Sequence, residues 1–232
     1  MKNLLGVCLI GLMLSTSVAP SVVAQSAASA LRKGISVQMA VTHGAVPAPA
    51  ADEEKAVIVT VTREARLFLG VEPIRVSALT AALKTRLANE AKKMVYVKAD
   101  ARASYEAVAK VLEAVSRAGI ERPVLLTEQR EPAKAGTTVP PKGLEVLLGA
   151  PSNAETVVVQ VLKSGWDIPL KVNGREVGWE KLQARLTELL SKRENKMVVL
   201  KAGPPISFAE VAAIADASRA AGGKLVLRTS GE

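Results

Sequence analysis

Residues 94–105 read Met94-Val-Tyr-Val-Lys-Ala-Asp-Ala-Arg-Ala-Ser-Tyr105, and the pattern returns 103 positions later as Met197-Val-Val-Leu-Lys-Ala-Gly-Pro-Pro-Ile-Ser-Phe208. Apolar and small residues on either side return in the same register. They are Leu79, Leu83, Leu87, Val108, Ala114 and Gly119 in the first copy, and Leu182, Leu186, Leu190, Val211, Ala217 and Gly222 in the second. A fixed spacing of this kind indicates a structural unit that occurs twice. Several polar positions differ between the copies, so the repeat predicts a shared fold rather than a shared site.

The first copy alternates short apolar runs with amphipathic stretches. Val- and Leu-rich runs predict strands over residues 57–62, 66–70, 94–98 and 124–127, because β-branched residues suit a pleated, half-buried surface. Apolar residues at helical spacing predict two helices between these strands. The first helix starts at an N-cap, Ser77, and runs to about residue 91, and the second runs from the N-cap Ser104 to Gly119.

The second copy predicts the same β-β-α-β-α-β order. Its strands are expected over 156–162, 168–172, 197–201 and 224–229, and its helices over 179–192 and 208–221. Ser207 and Glu210 form a capping box at the start of the last helix, and Asn173-Gly174 supplies a turn before the first one. We predict an α+β fold, with two tandem two-layer domains whose helices pack on one face of a small mixed sheet. The other face or an edge of each sheet is then available for pairing.

Charge and composition divide the chain into five parts. They are a signal peptide or N-terminal membrane anchor (1–33), a post-membrane strand and loop (34–54), a first domain (55–128), a linker (129–154) and a second domain (155–232). The first part carries no charge between Lys2 and Arg32, which fits either a cleaved signal or a retained anchor. Either reading exports the rest of the chain. The linker is rich in Pro and Gly, although residues 144–148 are apolar enough to add a strand.

The composition argues against several classes of function. With 31 basic and 22 acidic residues the net charge is +9, which favours anionic partners such as cell-wall carboxylates, although charges mixed along helices are usually a solvated surface. Export counts against nucleic acid as a partner. One Cys allows no disulfide within the chain, and one His leaves little material for a metal site or a nucleophile with its base. We therefore predict no catalytic, metal-binding or cofactor-binding residues and no enzymatic activity.

The first copy resembles the periplasmic domain of the ExbD/TolR family of proton-driven envelope motors. The resemblance lies in the strand 95–102, which leads into a helix that bears Tyr105, and in the exit through Ala118-Gly119-Ile120 to residues 125–127. Residues 34–40 also resemble the family's post-membrane strand, with Ile35, Val37 and Met39 at its apolar positions and Ala40 where Pro is usual. In the family this segment is a mobile linker that pairs with the folded domain, which implies a switchable strand here.

The resemblance implies partners as well as a fold. It implies an ExbB/TolQ-like or TonB/TolA-like envelope protein as partner, and membrane contact through the N-terminal segment if that segment is uncleaved. Because the family forms dimers of this domain, it also implies a homodimer or an intramolecular pseudo-dimer. Family members carry an Asp within the membrane helix for proton transfer, and residues 3–31 contain none, so the simplest proton path is missing.

Four further residues are candidates for contact with a partner. Asp100 and Arg102 follow a strand end, where they would bind a partner's charged groups or, as the plainer alternative, pair with each other and with loop amides. Tyr105 is either a contact residue or, like its counterpart Phe208, a packing residue. Trp166 lies in a hairpin turn, where an exposed ring would anchor a partner, whereas Trp179 is expected in the core.

The leading function predicted from the sequence is binding of a protein partner through exposed sheet edges. The alternative is a free periplasmic module that binds peptidoglycan or a peptide, without a link to a motor.

Overall fold

The computed structural model describes residues 35–128, 141–149, 156–203 and 205–227. The predicted signal or anchor and most of the predicted linker lie outside the described residues. No helix in the described part of the chain combines the length and the apolar character needed to span a membrane.

Strands and helices follow one another largely in the predicted order. The strands are β1 (Val46–Pro47), β2 (Val57–Val61), β3 (Leu67–Leu69), β4 (Glu72–Pro73), β5 (Val95–Ala99), β6 (Val124–Thr127), β7 (Lys142–Glu145), β8 (Leu147–Leu148), β9 (Val157–Val161), β10 (Leu170–Val172), β11 (Arg175–Val177), β12 (Met197–Ala202) and β13 (Lys224–Leu227). The α-helices are α1 (Val76–Arg86), α2 (Tyr105–Arg117), α3 (Leu182–Ser191) and α4 (Phe208–Ala220). The predicted α+β class is confirmed.

Two mixed sheets form, one from each copy of the repeat. The first has the order β1-β7-β6-β5-β2-β3-β4 and the second the order β11-β10-β9-β12-β13-β8. Both sheets contain the same run of four strands, three parallel and one antiparallel, since β6-β5-β2-β3 corresponds to β13-β12-β9-β10. We call residues 35–128 the first half and residues 156–227 the second half.

One apolar core runs through both halves. Alternate residues of β2 and β5 face the helices, together with Leu83 of α1 and Val108 of α2, and the equivalent Leu186 of α3 and Val211 of α4 belong to the same cluster. All four of these side chains are fully buried, and burial of one such side chain stabilises a fold by about 1.5–3 kcal/mol. The halves therefore share their hydrophobic stabilisation.

The opposite face of the first sheet is also covered. Ile58, Tyr96 and Leu126 point to that face and are buried against Ala51, which lies in a 3-10 turn over Pro49–Asp52. Strands buried on both faces read as continuous apolar runs, which explains the sequence of β2. Of the two predicted alternatives, a free sheet face or a free sheet edge, the free face is therefore absent from the described part of the first half.

The predicted linker contains strands, as its apolar residues 144–148 allowed. Its residues 142–145 form β7, which pairs antiparallel with β6, and residues 147–148 form β8, which pairs parallel with β13. One stretch of chain thus covers one edge of each sheet. The outer strands among the described residues are β1 and β4 in the first sheet and β11 and β8 in the second.

Two local predictions are wrong. Ser77 is not an N-cap: Arg75 holds that position in extended conformation without a side-chain hydrogen bond, and α1 ends at Arg86 because the chain leaves helical geometry at Leu87. The strand predicted over 34–41 is reduced, in its described part, to a single parallel bridge between Val41 and Glu128.

The turn predicted at Asn173-Gly174, before the first helix of the second half, is present. Asn173 and Gly174 have positive φ angles of 50° and 81°, and they connect β10 to β11 in a tight hairpin. Two successive residues with positive φ give a turn whose twist matches that of the flanking strands. The predicted capping of the later helices is confirmed: Ser104 caps α2, Ser207 and Glu210 form the capping box of α4, and Gly119 leaves α2 with a φ of 86°.

Candidate partner-binding site

The two halves meet at the N-termini of α2 and α4. Tyr105 N–H donates to the carbonyl of Ile206 (2.8 Å), and Phe208 N–H donates to the carbonyl of Ala103 (2.9 Å). Ser104 and Ser207 lie opposite each other in an antiparallel bridge between these bonds. Since 105 corresponds to 208 and 103 to 206 in the repeat, each bond is the repeat image of the other, as in a contact between two identical subunits.

Asp100 and Arg102 form a bidentate ion pair beside this junction. Arg102 Nε donates to Oδ1 (2.9 Å) and Nη2 to Oδ2 (3.0 Å), while the backbone N–H of Arg102 also donates to Oδ1 (3.0 Å). The hydrogen bonds from the Arg102 side chain lower the pKa of Asp100, although burial acts in the opposite direction, and the same pair raises the pKa of Arg102. Asp100 is 4% exposed, so its carboxylate is used internally, as the plainer alternative predicted.

A segment of extended chain, which we call the strap (residues 35–45), lies across the carboxyl ends of β5 and β6. Gln38 N–H donates to Asp100 Oδ2 (3.3 Å), and the Gln38 carbonyl accepts from Ala101 N–H (2.7 Å). Farther along, the Ala40 carbonyl accepts from Glu128 N–H (2.9 Å). The predicted contact residues Ile35, Val37 and Met39 are half-buried, and Met39 packs on the covered face of the first sheet.

The end of the strap is held by the second half. The N–H groups of His43 and Gly44 donate to the two carboxylate oxygens of Asp216 on α4, both at 2.7 Å, and Arg219 Nε donates to the Gly44 carbonyl (2.8 Å). A Cβ at position 44 would lie 2.9 Å from Asp216 Oδ1, which explains why glycine stands there. The strap therefore connects the halves through backbone and charged groups.

Tyr105 lines a cavity between α2 and the end of β12. The cavity has a volume of about 420 Å³, and its walls include Tyr105, Ala109, Leu200, Lys201 and Ile206. Tyr105 is half-buried and packs against the apolar core. Burial raises the pKa of its hydroxyl well above the ordinary value, so the hydroxyl stays protonated at neutral pH.

Trp166 is exposed, which is the setting predicted for a ring that anchors a partner. It is 55% exposed in the loop after β9, near Leu162, which is 58% exposed. The ring of Trp166 meets that of Trp179 edge to face, with 4.8 Å between the ring centroids. Trp179 is partly buried, and its indole N–H donates to the carbonyls of Gly165 (3.2 Å) and Ile168 (3.1 Å). The exposed ring thus rests on an anchored one.

A buried carboxylate, Glu210, holds this loop. It accepts from Ser164 Oγ (2.7 Å), Gly165 N–H (2.9 Å) and both the N–H and the hydroxyl of Ser207 (2.7 Å each). Burial acts to raise its pKa, but these hydrogen bonds outweigh burial and the pKa is lowered. The Ser-x-x-Glu motif revealed Glu210 as a cap, yet nothing in the sequence indicated its contact with the Trp166 loop.

The structure brings most of the predicted contact residues to one end of the molecule. Asp100, Arg102, Tyr105 and the strap lie at the junction of the halves, and Trp166 is linked to that junction through Glu210 at the start of α4. Asp216 and Lys201 were missed, because only the fold places them near the strap and the cavity. The described residues hold no group of His, Cys, Asp and Glu arranged to bind a metal ion.

The comparison with protein families decides the classification. Residues 3–131 match the family described as biopolymer transport protein ExbD/TolR. The chain belongs to the ExbD/TolR family. The match spans more than half of the 232 residues and ends within the linker, after the first half. No curated protein matches the chain.

Membership of the ExbD/TolR family makes the protein a component of biopolymer transport in the cell envelope. Proteins of this family are in general not enzymes. The site described above consists of loop and strand-end groups that hydrogen-bond one another, with an exposed Trp and an apolar cavity at its margin.

Proposed function

We propose that this protein is a non-enzymatic envelope component that binds a protein partner in the periplasm. In this proposal it carries two ExbD/TolR-like units, residues 55–128 and 155–232, joined by the linker 129–154. Its N-terminal segment is a signal peptide or an inner-membrane anchor. The partner is an ExbB/TolQ-like or TonB/TolA-like envelope protein.

The junction of the halves is the observation that carries the proposal. The hydrogen bonds of Tyr105 with Ile206 and of Phe208 with Ala103 are related by the repeat. Self-complementary contacts of this kind are typical of two-fold dimers of identical subunits. They support a pseudo-dimer within one chain, in which the linker keeps the two units at high effective concentration.

The outer edge of β11 is the best sheet edge for a partner. The outer strands β1, β4 and β8 are each two residues long, and Pro47 of β1 and Pro73 of β4 cannot donate a ladder hydrogen bond. β11 is an outer strand of its sheet and has no Pro. It ends at Val177, close to the loop that exposes Trp166, since Trp179 N–H bonds to that loop. An added strand gains main-chain hydrogen bonds, and an exposed aromatic ring adds an anchor.

A disulfide trap tests the pseudo-dimer. Ser104 and Ser207 are opposite in a narrow antiparallel pair, where Cα atoms lie about 4.5 Å apart, within the range a disulfide bridges. In a Cys8→Ser background, Ser104→Cys with Ser207→Cys should oxidise to a compact monomer on non-reducing electrophoresis. The single variants are the control. Cross-linked dimers in place of the compact monomer would contradict a junction within one chain.

Photocrosslinking in cells tests partner binding. A photoreactive residue at Trp166 or Arg175 should give adducts with one envelope protein, which mass spectrometry identifies. Val71 offers a control, because it is 68% exposed but lies beside β4 in the first half. Equal adducts from position 71, or none from positions 166 and 175, would refute binding at β11.

Peptidoglycan binding is a second candidate, favoured by the net charge of +9. Binding driven by charge weakens as salt shortens the screening length. Retention on purified cell-wall sacculi that is lost at high salt would support this alternative, and salt-independent retention would argue against it.

A further inference from the structure

The repeat relates the seat of the strap to a second, uncovered position. In the first half, the end of β5 at Ala99 and the ring of Phe208 are fully buried at the strap. Their repeat counterparts, Ala202 and Tyr105, are only half-buried, and the cavity of about 420 Å³ lies between them. Among the described residues, the strap therefore covers one of two seats that the repeat makes equivalent.

The second seat does not reproduce the groups that hold the strap. In the first half, Asp100 accepts from Gln38 N–H and Ala101 N–H donates to the Gln38 carbonyl. The counterpart of Asp100 is Gly203, which has no carboxylate, and the counterpart of Ala101 is Pro204, which has no N–H. A second copy's strap would lose both contacts here and would first have to leave its own seat.

The second seat offers an apolar wall and a cation in their place. Tyr105, Ala109, Leu200 and Ile206 line the cavity, whose volume falls within the range of about 300–1,000 Å³ typical of ligand pockets. The exposed Glu106 also lines it, and its carboxylate accepts a hydrogen bond from Lys110 Nζ (2.7 Å), which offsets its negative charge. Lys201 is exposed at the rim, where it corresponds to Lys98, which is buried in the first half. A ligand with a bulky apolar group and a nearby carboxylate matches this combination.

We infer that the cavity between α2 and β12 is a docking seat for an extended peptide segment of a partner protein. The segment inserts a bulky apolar side chain beside Tyr105 and places an Asp or Glu at Lys201. This inference rests on the proposed function of partner binding, and it adds a site separate from the β11 edge. The bound segment occupies the position equivalent to that of the strap in the first half. Side-chain packing and charge hold it there in place of backbone hydrogen bonds.

A peptide selection tests the inference. A random seven-residue library on phage is selected against the full-length protein, and enriched sequences are made as labelled peptides for binding by fluorescence polarisation. We expect sequences that combine Leu, Ile, Met or Phe with an acidic residue. Ala109→Phe, which fills the cavity, and Lys201→Glu, which reverses the exposed charge, should each weaken binding at least about tenfold, as loss of an interface anchor does.

Two variants serve as matched controls. Tyr105→Phe gives the second seat the ring that Phe208 provides in the first half, and it should change affinity less than about threefold, because the packing surface is kept. Val71→Ala, at an exposed position beside β4, should leave affinity unchanged. Circular dichroism checks that each variant is folded, and Lys201→Glu tests the site on an exposed residue if Ala109→Phe misfolds.

The outcomes separate this inference from the proposed function. Peptides whose affinity falls with Trp166→Ala but not with Ala109→Phe or Lys201→Glu would overturn the cavity site and leave partner binding at β11 intact. Failure to enrich any sequence would also overturn it. A concentration-dependent dimer in sedimentation that Ala109→Phe abolishes would assign the seat to a second copy of the chain. Failure of the proposed function appears instead in the disulfide trap and the photocrosslinks.

Discussion

The first half of the molecule is closed where the second half is open. The strap covers the strand ends of the first sheet, and the turn at Pro49–Asp52 covers its outer face, whereas the equivalent strand end at β12 borders a cavity. Both halves keep the same order of strands and helices in the centre of their sheets. The two halves thus share an apolar framework, while residues outside that framework decide which surfaces remain accessible.

The largest expected effect tests whether the halves share one core. Leu83→Ala and Leu186→Ala truncate equivalent, fully buried side chains, and each should lower the free energy of unfolding by about 2–5 kcal/mol. Because one apolar cluster includes both residues, urea denaturation should give a single transition that either variant shifts. Two transitions, each moved by only one variant, would mean that the halves unfold independently.

Loss of Glu210 should destabilise the second half, because this carboxylate holds the loop around Trp166. Glu210→Ala leaves hydrogen-bond donors of Ser164, Gly165 and Ser207 without their acceptor. It should lower the free energy of unfolding by about 2–3 kcal/mol, as expected for hydrogen bonds to a buried charge. The counterpart in the first half is already an alanine, Ala107. Trp fluorescence should report the loosened loop around Trp166, and Ser164→Ala, which removes one donor, should have a smaller effect. Unchanged fluorescence in Glu210→Ala would contradict the role of this carboxylate.

Acid should weaken the strand end of the first half specifically. A folded-state pKa below the ordinary value of about 3.9 means that Asp100 stabilises the fold above that pH and loses this contribution as pH falls through the folded pKa. Asp100→Asn should therefore lower stability by about 1–2 kcal/mol at neutral pH, an amount reduced by the half-exposed Arg102.

The pH dependence provides the check on Asp100. Urea denaturation at several pH values should show the difference between the wild type and Asp100→Asn shrinking below about pH 4. Glu210, whose pKa is also lowered, is present in both proteins and cancels from the comparison. A difference that stays constant down to pH 2.5 would contradict the ion pair as its source.

The smallest expected effect compares the two helix caps. Ser104 accepts only from Ala107 N–H, whereas Ser207 belongs to the reciprocal box with Glu210. Ser104→Ala should cost about 1 kcal/mol, a typical value for an N-cap, and Ser207→Ala should cost more. Thermal denaturation measures both, and equal losses would show that the box adds nothing to the cap.

Sequence reasoning recovered what local apolar patterns determine. Val-rich runs and the repeat register predicted the central strands, and Ser104, Ser207 and Gly119 predicted helix ends, because these features depend on neighbouring residues. The apolar run at residues 144–148 indicated a possible extra strand, but its pairing with β6 and β13 depends on unpaired backbone nearby, which no local pattern reveals. The family resemblance implied that residues 34–40 pair with the folded domain, and Gln38 and Ala40 do so. The contact of the strap with Asp216 and the cavity were missed, since both depend on how the two halves are placed.

For Asp100 and Arg102, the observed hydrogen bonds decide between the two alternatives that the sequence left open. Asp100 with Arg102 satisfied each other and the loop amides, as the plainer reading required. Trp179 proved to be only partly buried, because its N–H reaches the loop carbonyls of Gly165 and Ile168. Whether Tyr105, Trp166 and the apolar positions of the strap contact a partner stays a prediction.

Cutting the chain after residue 131, where the family match ends, would remove β7 and leave one edge of β6 without a partner strand. The complementary fragment, if it began after β8, would lose the strand that borders β13 in the same way. Exposed strand margins recruit other chains, so both fragments are expected to aggregate rather than behave as miniature versions of the protein. Residues 142–148 complete one edge of each sheet, and any shortened form meant for biophysical work has to include them.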